Sequence, residues 1–187
     1  MKNNRFLNNQ FLIAMPTLTD SNFFHTVTYL CQHNEDGALG IVINRPAGMI
    51  LEDIFKQMNI AANNSKIKEV TVYSGGPVQQ ERGFVIHDVG EQWNSSILIS
   101  DSIALTTSRD ILEAIAQGSG PERYLVALGY AGWSAGQLER EVSSNAWLNA
   151  PCTADILFNT PPTHRWNQAA KQIGVDIHLL TVQAGHA

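Results

Sequence analysis

The chain has 187 residues, 44% of them apolar and 16% charged, with a formal net charge of −5. That length suits one domain with a full core, here residues 1–187, and the composition excludes a disordered chain. The acidic balance, with no Lys/Arg cluster, excludes the counterion release that drives direct nucleic-acid binding, and no window reaches the length of a membrane span.

In chain order, residues 1–10 are polar and Asn-rich, and the apolar run 11–15 is too short for a signal-peptide core. Alternation and β-branched content predict strands over 11–14, 26–32, 39–44, 69–73, 83–87, 97–99 and 124–130. The second and third flank Asn34-Glu35-Asp36-Gly37, which has the chemistry of a hairpin turn. Residues 61–66 are small, polar and aperiodic, as expected of a mobile loop. Pro77 has no N–H to donate, so strand pairing is expected to stop there.

Helices are predicted over 51–58, 108–117, 135–143 and 163–173. Thr107 with Asp110, and Ser134 with Gln137, have the spacing of capping boxes. Gly118 supplies a C-terminal stop for the second helix, and Gly174 ends the last. Strands dominate the first half and helices are inserted singly. The pattern predicts an α+β domain with a mixed, mostly antiparallel sheet.

Gly132-Trp133-Ser134-Ala135-Gly136 matches Gly-x-Ser-x-Gly between an apolar strand and a helix, the setting of a hydrolase nucleophile elbow. Asp155 or Asp176, with His164, His178 or His186, would follow Ser134 in the order such a triad needs. Against this, Ser134 is already explained as a helix cap, no His-Gly-Gly-Gly segment precedes it, and the upstream strands read as hairpins. Cys31 and His33 fall on one face of their strand. They could begin a metal site or activate a thiolate, and Cys31 is a candidate redox sensor because a neighbouring His can lower a thiol pKa. No second ligand pair accompanies them, so no metal and no cofactor is expected. Two cysteines without a disulfide framework, and without a signal segment, suit a reducing cytoplasm.

Gly75 and Gly76 could expose backbone amides to an anion, with Arg82 as its clamp, or could simply make a tight connection. Arg45, after Asn44, could meet a carboxylate or phosphate, or pair with Asp53 or Glu52 inside the fold. Trp133 could belong to an exposed aromatic patch, or to the core.

Several blocks in order carry a family resemblance almost end to end. They include Leu12-Ile13-Ala14-Met15-Pro16, the run Gly37-Ala38-Leu39-Gly40-Ile41-Val42-Ile43-Asn44-Arg45-Pro46, and Tyr73-Ser74-Gly75-Gly76-Pro77-Val78. Arg82-Gly83-Phe84-Val85-Ile86-His87 follows, then Ala127-Leu128-Gly129-Tyr130-Ala131-Gly132-Trp133 with Gly136-Gln137-Leu138-Glu139. Asp20 and Phe23, Thr26-Val27 with Tyr29-Leu30-Cys31-Gln32-His33, Asn145-Ala146-Trp147-Leu148, Arg165-Trp166 and the terminal Gly185-His186-Ala187 complete the set. The chain resembles the AlgH/YqgE family. The resemblance implies a bacterial cytosolic protein whose bulged, bifurcated sheet curls into a pseudo-barrel with flanking helices. It implies no established enzymatic activity, although some members carry the label of transcriptional regulator. The acidic charge turns any such role toward an indirect one. Gly132, Trp133 and Gly136-Gln137 are the recurring part of the family pattern, and a serine at position 134 is not required by it.

The expectation is therefore a non-enzymatic binding or regulatory module for a small ligand or an unknown protein partner, without direct nucleic-acid or membrane contact. Asn44, Arg45, Gly75, Gly76, Arg82, His87, Trp133 and Gln137 are its candidate site, as one polar-rimmed cleft if they converge. A serine hydrolase at Ser134 and a redox sensor at Cys31 are the alternatives.

Overall fold

The computed structural model describes residues 5–183. Ten strands form one sheet: β1 (Gln10–Ala14), β2 (Val27–Asn34), β3 (Gly37–Val42), β4 (Pro46–Ile50), β5 (Thr71–Ser74), β6 (Val78–Asp88), β7 (Ser96–Leu98), β8 (Ile103–Thr106), β9 (Tyr124–Ser134) and β10 (Trp147–Pro151). The helices are α1 (Leu51–Gln57), α2 (Arg109–Gln117), α3 (Gln137–Ser143), α4 (Pro162–Lys171) and α5 (Ile177–Gln183). The main path runs β10-β1-β2-β3-β9-β6-β8-β7, and β5 joins β9 from the side while also pairing β4. All pairings are antiparallel except β5 with β9. This is the α+β pseudo-barrel with flanking helices that the resemblance implied.

The sheet forks at β9. Its first half lies between β5 and β6, with Val126 opposite both Val72 and Val85. Its second half pairs β3, with Ala131 opposite Gly40. The change of partner occurs at Gly129, whose φ is +77°. Here the backbones nearly touch. A Cβ on Gly75 would sit 2.3 Å from the Gly129 carbonyl oxygen, and one on Gly76 2.1 Å from the Tyr130 carbonyl carbon. Only glycine permits that approach.

Period-two alternation divides the core. From β9, Leu125 and Ala127 face the barrel interior with Phe11, Tyr29 and Ile86, under Trp166 and Ala169 of α4. Val126 faces the other way, toward Ile54 and Phe55 of α1 and Ile111, Leu112 and Ile115 of α2. A third cluster gathers Trp133 and Trp147 with Leu12 and Leu30. Strands of this sheet are thus buried on both faces, which explains their near-continuous apolar runs.

One local expectation holds and others are corrected. The hairpin turn forms with Asn34 opposite Gly37, and Asn34 Oδ1 accepts the Asp36 N–H at 2.9 Å. Residues 61–66 are tied down instead of loose. The Asn63 and Asn64 N–H groups donate to the Ala116 carbonyl, Asn63 Nδ2 to Gln117 Oε1, and Gln117 Nε2 to the Ala61 carbonyl. The loop supplies partners to the end of α2, whose last carbonyls need them. Residues Ser65–Glu69 then form a short 3-10 turn.

Neither predicted capping box forms as drawn. Ser108, not Thr107, caps α2, and its hydroxyl donates to Asp110 Oδ1 at 2.5 Å. The cap of α3 is Gly136, in the left-handed conformation, and Ser134 ends β9. The sequence reading also missed β4, β8, β10 and α5. No helix among the described residues is long and apolar enough to cross a membrane.

Candidate functional site

The eight candidate residues do not meet in one cleft; their contacts sort them into separate groups. Asn44 and Arg45 fasten the loop before β2. Asn44 Oδ1 accepts the Val27 N–H and its Nδ2 donates to the His25 carbonyl, both at 2.9 Å. The Arg45 guanidinium donates to the carbonyls of Ser21, Asn22 and Phe24 at 2.6–3.0 Å. It therefore binds backbone instead of Asp53 or Glu52. Asp53 accepts the Ile50 N–H, and Glu52 pairs Lys56 at 3.5 Å. The Gly75 N–H donates to the Leu128 carbonyl at 2.7 Å, so this amide is not offered to an anion.

Trp133 and Gln137 belong to a corner organised by a residue the sequence reading missed. Glu141 Oε2 accepts the indole N–H groups of both Trp133 and Trp147 at 2.9 Å, and Oε1 accepts from Gln137 Nε2 at 2.9 Å. Phe23 stacks on Trp133 at 6.0 Å and meets Trp147 edge-on at 5.5 Å. Trp133 is buried, so it is core and not an exposed patch. Glu141 was legible only through its spacing: it lies one helical turn after Gln137, with indoles arriving from two strands.

Ser134 sits on the rim of this corner. Its hydroxyl donates to Gln137 Oε1 at 3.2 Å, and its N–H donates to the same oxygen at 3.0 Å. An amide oxygen cannot take the hydroxyl proton, so Gln137 positions Ser134 without activating it. Of the proposed partners, His164 is exposed on α4, Asp155 accepts from Asn159, and Asp176 accepts the His178 N–H. His186, with Gly185 and Ala187, lies outside the described residues.

Cys31 and His33 part company at a β-bulge between Leu30 and Gln32. Cys31 packs among Phe11, Tyr29 and other interior residues, and burial, reinforced by Cys152, pushes its thiol up. The shift is opposite to the lowering expected from His33. Burial likewise pushes Cys152 up to about 12. His33 Nδ1 accepts the Leu7 N–H at 3.0 Å, which leaves the proton on Nε2, 3.2 Å from Glu139 Oε1. Among the described residues, no group of three or more His, Cys, Asp or Glu is arranged to hold a metal.

Arg82 and His87 lead to a cleft of about 300 Å³ between α1, α2 and the outer face of β6 and β9. Its floor is apolar: Ile54, Met58, Val85, Leu112, Val126 and Leu128. Its rim is polar, with Gln57, Glu81, Thr106, Thr107, Ser108 and Arg109. Arg82 Nη2 reaches Thr107 Oγ1 at 3.4 Å, and its guanidinium lies over the Phe84 ring.

His87 is buried behind Thr106. Its Nδ1–H donates to the Asp88 carbonyl at 2.8 Å, so Nε2 accepts from the Thr106 hydroxyl at 2.7 Å. The Thr106 oxygen in turn accepts from Ser96 at 2.6 Å. Burial pulls the His87 imidazole below its ordinary pKa, against the opposing Asp88 backbone and charge.

The cleft's walls are fixed by polar contacts of two residues, Arg109 and Asp110. Arg109 Nη1 donates to the Met58 carbonyl at 2.9 Å while its Nε donates to Glu113, which ties α2 to the end of α1. Burial raises the Asp110 carboxyl, but the Ser108 hydroxyl and the Asn94 and Ile111 N–H groups outweigh it and hold it below the usual carboxylate range. The His87–Thr106 and Asp110–Ser108 hydrogen bonds hold two of the cleft's rim residues in place.

Comparison with known proteins places this architecture. The AlgH-like family model (DUF179) matches residues 11–178. A UPF0301 protein of Methylococcus capsulatus is 56% identical over 181 residues, 97% of this chain and 96% of that one. A UPF0301 protein of Nitrosococcus oceani is 48% identical over the full length of both. The solution structure of the AlgH protein from Pseudomonas aeruginosa superposes with a TM-score of 0.81 at 49% identity, covering 100% of this chain and 99% of that one. The crystal structure of DIP2367 from Corynebacterium diphtheriae shares the fold, with a TM-score of 0.74 at 16% identity over 97% of this chain and 94% of that one. The chain therefore belongs to the AlgH-like family, the AlgH/YqgE family that its motifs resemble.

Proposed function

We propose that this protein is a non-enzymatic binding module of the bacterial cytoplasm that holds a small, largely apolar molecule in the cleft between α1 and α2. The observation that carries the reading is the cleft's composition, an apolar floor under a rim of hydroxyl and amide groups with one acid, Glu81, and one cation, Arg109. That is the usual make-up of a small-molecule site, with the apolar surface supplying affinity and a few polar groups fixing orientation. At about 300 Å³ it suits a compact ligand. Thr107 and Arg109 would orient a polar end, and any regulatory output would run through the liganded protein without contact to DNA. The Ser134–Gln137 contact favours binding over hydrolysis, because the serine has an amide where a base is needed.

Leu112→Trp tests this, since an indole at that position fills the cleft from its floor. A small-molecule fraction of bacterial lysate should raise the melting temperature of the native protein, as any ligand of the folded state must. It should raise that of the folded Leu112→Trp variant less, since only the cleft is filled there. No rise with the native protein, or the same rise with both, would contradict the reading.

A further inference from the structure

Arg165 poses a problem that the cleft does not answer. It lies on α4, next to Trp166, whose indole N–H donates to the Ala14 carbonyl at 2.9 Å and anchors the helix on the sheet. Its residue is 3% exposed. One guanidinium N–H donates to the Ile43 carbonyl, and the group lies over the Tyr73 ring at 5.0 Å. Nε has no hydrogen-bond partner, and among the described residues Arg165 makes no ion pair. Burial pulls its pKa down against the opposing Tyr73 hydroxyl, yet a guanidinium stays charged in proteins. A buried charge without a counter-charge is costly, and an orphaned N–H on it adds to that cost.

The guanidinium lines a pocket of about 220 Å³ with Tyr73, Tyr124, Leu157 and Phe158. Among the described residues lining it, Arg165 is the one cation and Glu69 the one acid. Arg123 stacks its guanidinium on Phe158 at 5.4 Å, but that charge is held by Asp88 through two hydrogen bonds of 2.8–2.9 Å.

We propose that this pocket is a second ligand site, for a small monocarboxylate with an apolar or aromatic body. The carboxylate would pair with the guanidinium where it lines the pocket, and a small turn of the side chain would bring the buried, unpartnered Nε–H to it in the side-by-side geometry in which guanidinium binds carboxylate best. The rings of Tyr73, Tyr124 and Phe158, with Leu157, would line one side of the body. A single available cation, with Glu69 at the rim, matches one negative charge and disfavours a phosphate dianion. The site is independent of the α1–α2 cleft, and its ligand would be read on different residues.

Benzoate is the probe, followed by NMR on the Tyr73 and Phe158 rings and the Arg165 Nε–H. Saturable shifts with a Kd of about 1 mM or tighter are expected. Benzyl alcohol, of the same shape but neutral, should bind roughly tenfold weaker or less, because it forfeits the charge-assisted pair. Arg165→Met should abolish benzoate binding. Should that variant not fold, Phe158→Trp keeps the arginine and narrows the pocket, and it should weaken benzoate by a similar factor. The proposal is overturned by an absence of saturable shifts, by equal binding of benzyl alcohol, by inorganic phosphate competing as tightly as benzoate, or by unchanged benzoate affinity in folded Phe158→Trp.

Discussion

The Trp133 corner and the α1–α2 cleft both satisfy their polar groups but differ in whether space is left between the side chains. At the corner, one carboxylate takes two indole N–H groups and an amide, and Gln137 in turn holds Ser134. At the cleft, hydroxyls of Thr107 and Ser108 ring an apolar floor with space above it. The corner contains the most distinctive run in the sequence, and the cleft contains almost none of it. A dense motif can mark a joint that must close in one way, while room for a ligand lies where side chains stop short of each other.

The sharpest way to break the comparison is at Glu141. Glu141→Leu strands two buried indole N–H groups, each worth the full desolvation penalty of an unpaired donor. A loss of about 2–5 kcal/mol is expected in urea unfolding, with the fold of the cleft unchanged. A loss near zero would mean the corner is not the joint described.

A smaller, pH-dependent effect belongs to the cleft side. Burial holds the folded His87 pKa below its unfolded value, so the folded state favours the neutral ring. Its contribution is present in full above the unfolded pKa and is lost as pH falls through the folded one. Urea midpoints should therefore drop on acidification below about pH 6.5, the ordinary histidine value. His87→Gln, which keeps a polar group beside Thr106, should flatten that drop. The smallest effect is expected at Ser134: Ser134→Ala should change stability by no more than about 0.5 kcal/mol. It should also leave ligand binding at the cleft intact. Loss of a measurable activity in that variant would restore the hydrolase reading.

Much of the fold was readable because its signals are local. The Asn34–Gly37 turn, the α2 stripe of Ile111, Leu112 and Ile115, and Gly118 as its stop all follow from neighbouring residues. The strands that escaped notice have non-local causes. β4 carries Pro46 and Gly48 and pairs only β5, and β10 is an edge strand held by β1 across more than 130 residues. The site was less legible still. Arg82 and His87 lead to the cleft, but its floor is drawn from α1, α2 and two strands, and only the strands belong to recognised blocks. The remaining candidates were recognisable because they shape the backbone: Gly75 and Gly76 by contact with β9, Asn44 and Arg45 by holding carbonyls. Arg165, though part of a recognised block, gave no sign in the sequence that its charge would be buried without a partner.

The most direct test of the central claim is an amide NMR titration of the isotope-labelled protein with the small-molecule fraction of bacterial lysate. The account predicts discrete shifts clustered on Ile54, Met58, Thr107, Ser108 and Leu112. Shifts confined to the Trp133 corner, or broadening that occurs only with the protein fraction, would contradict it.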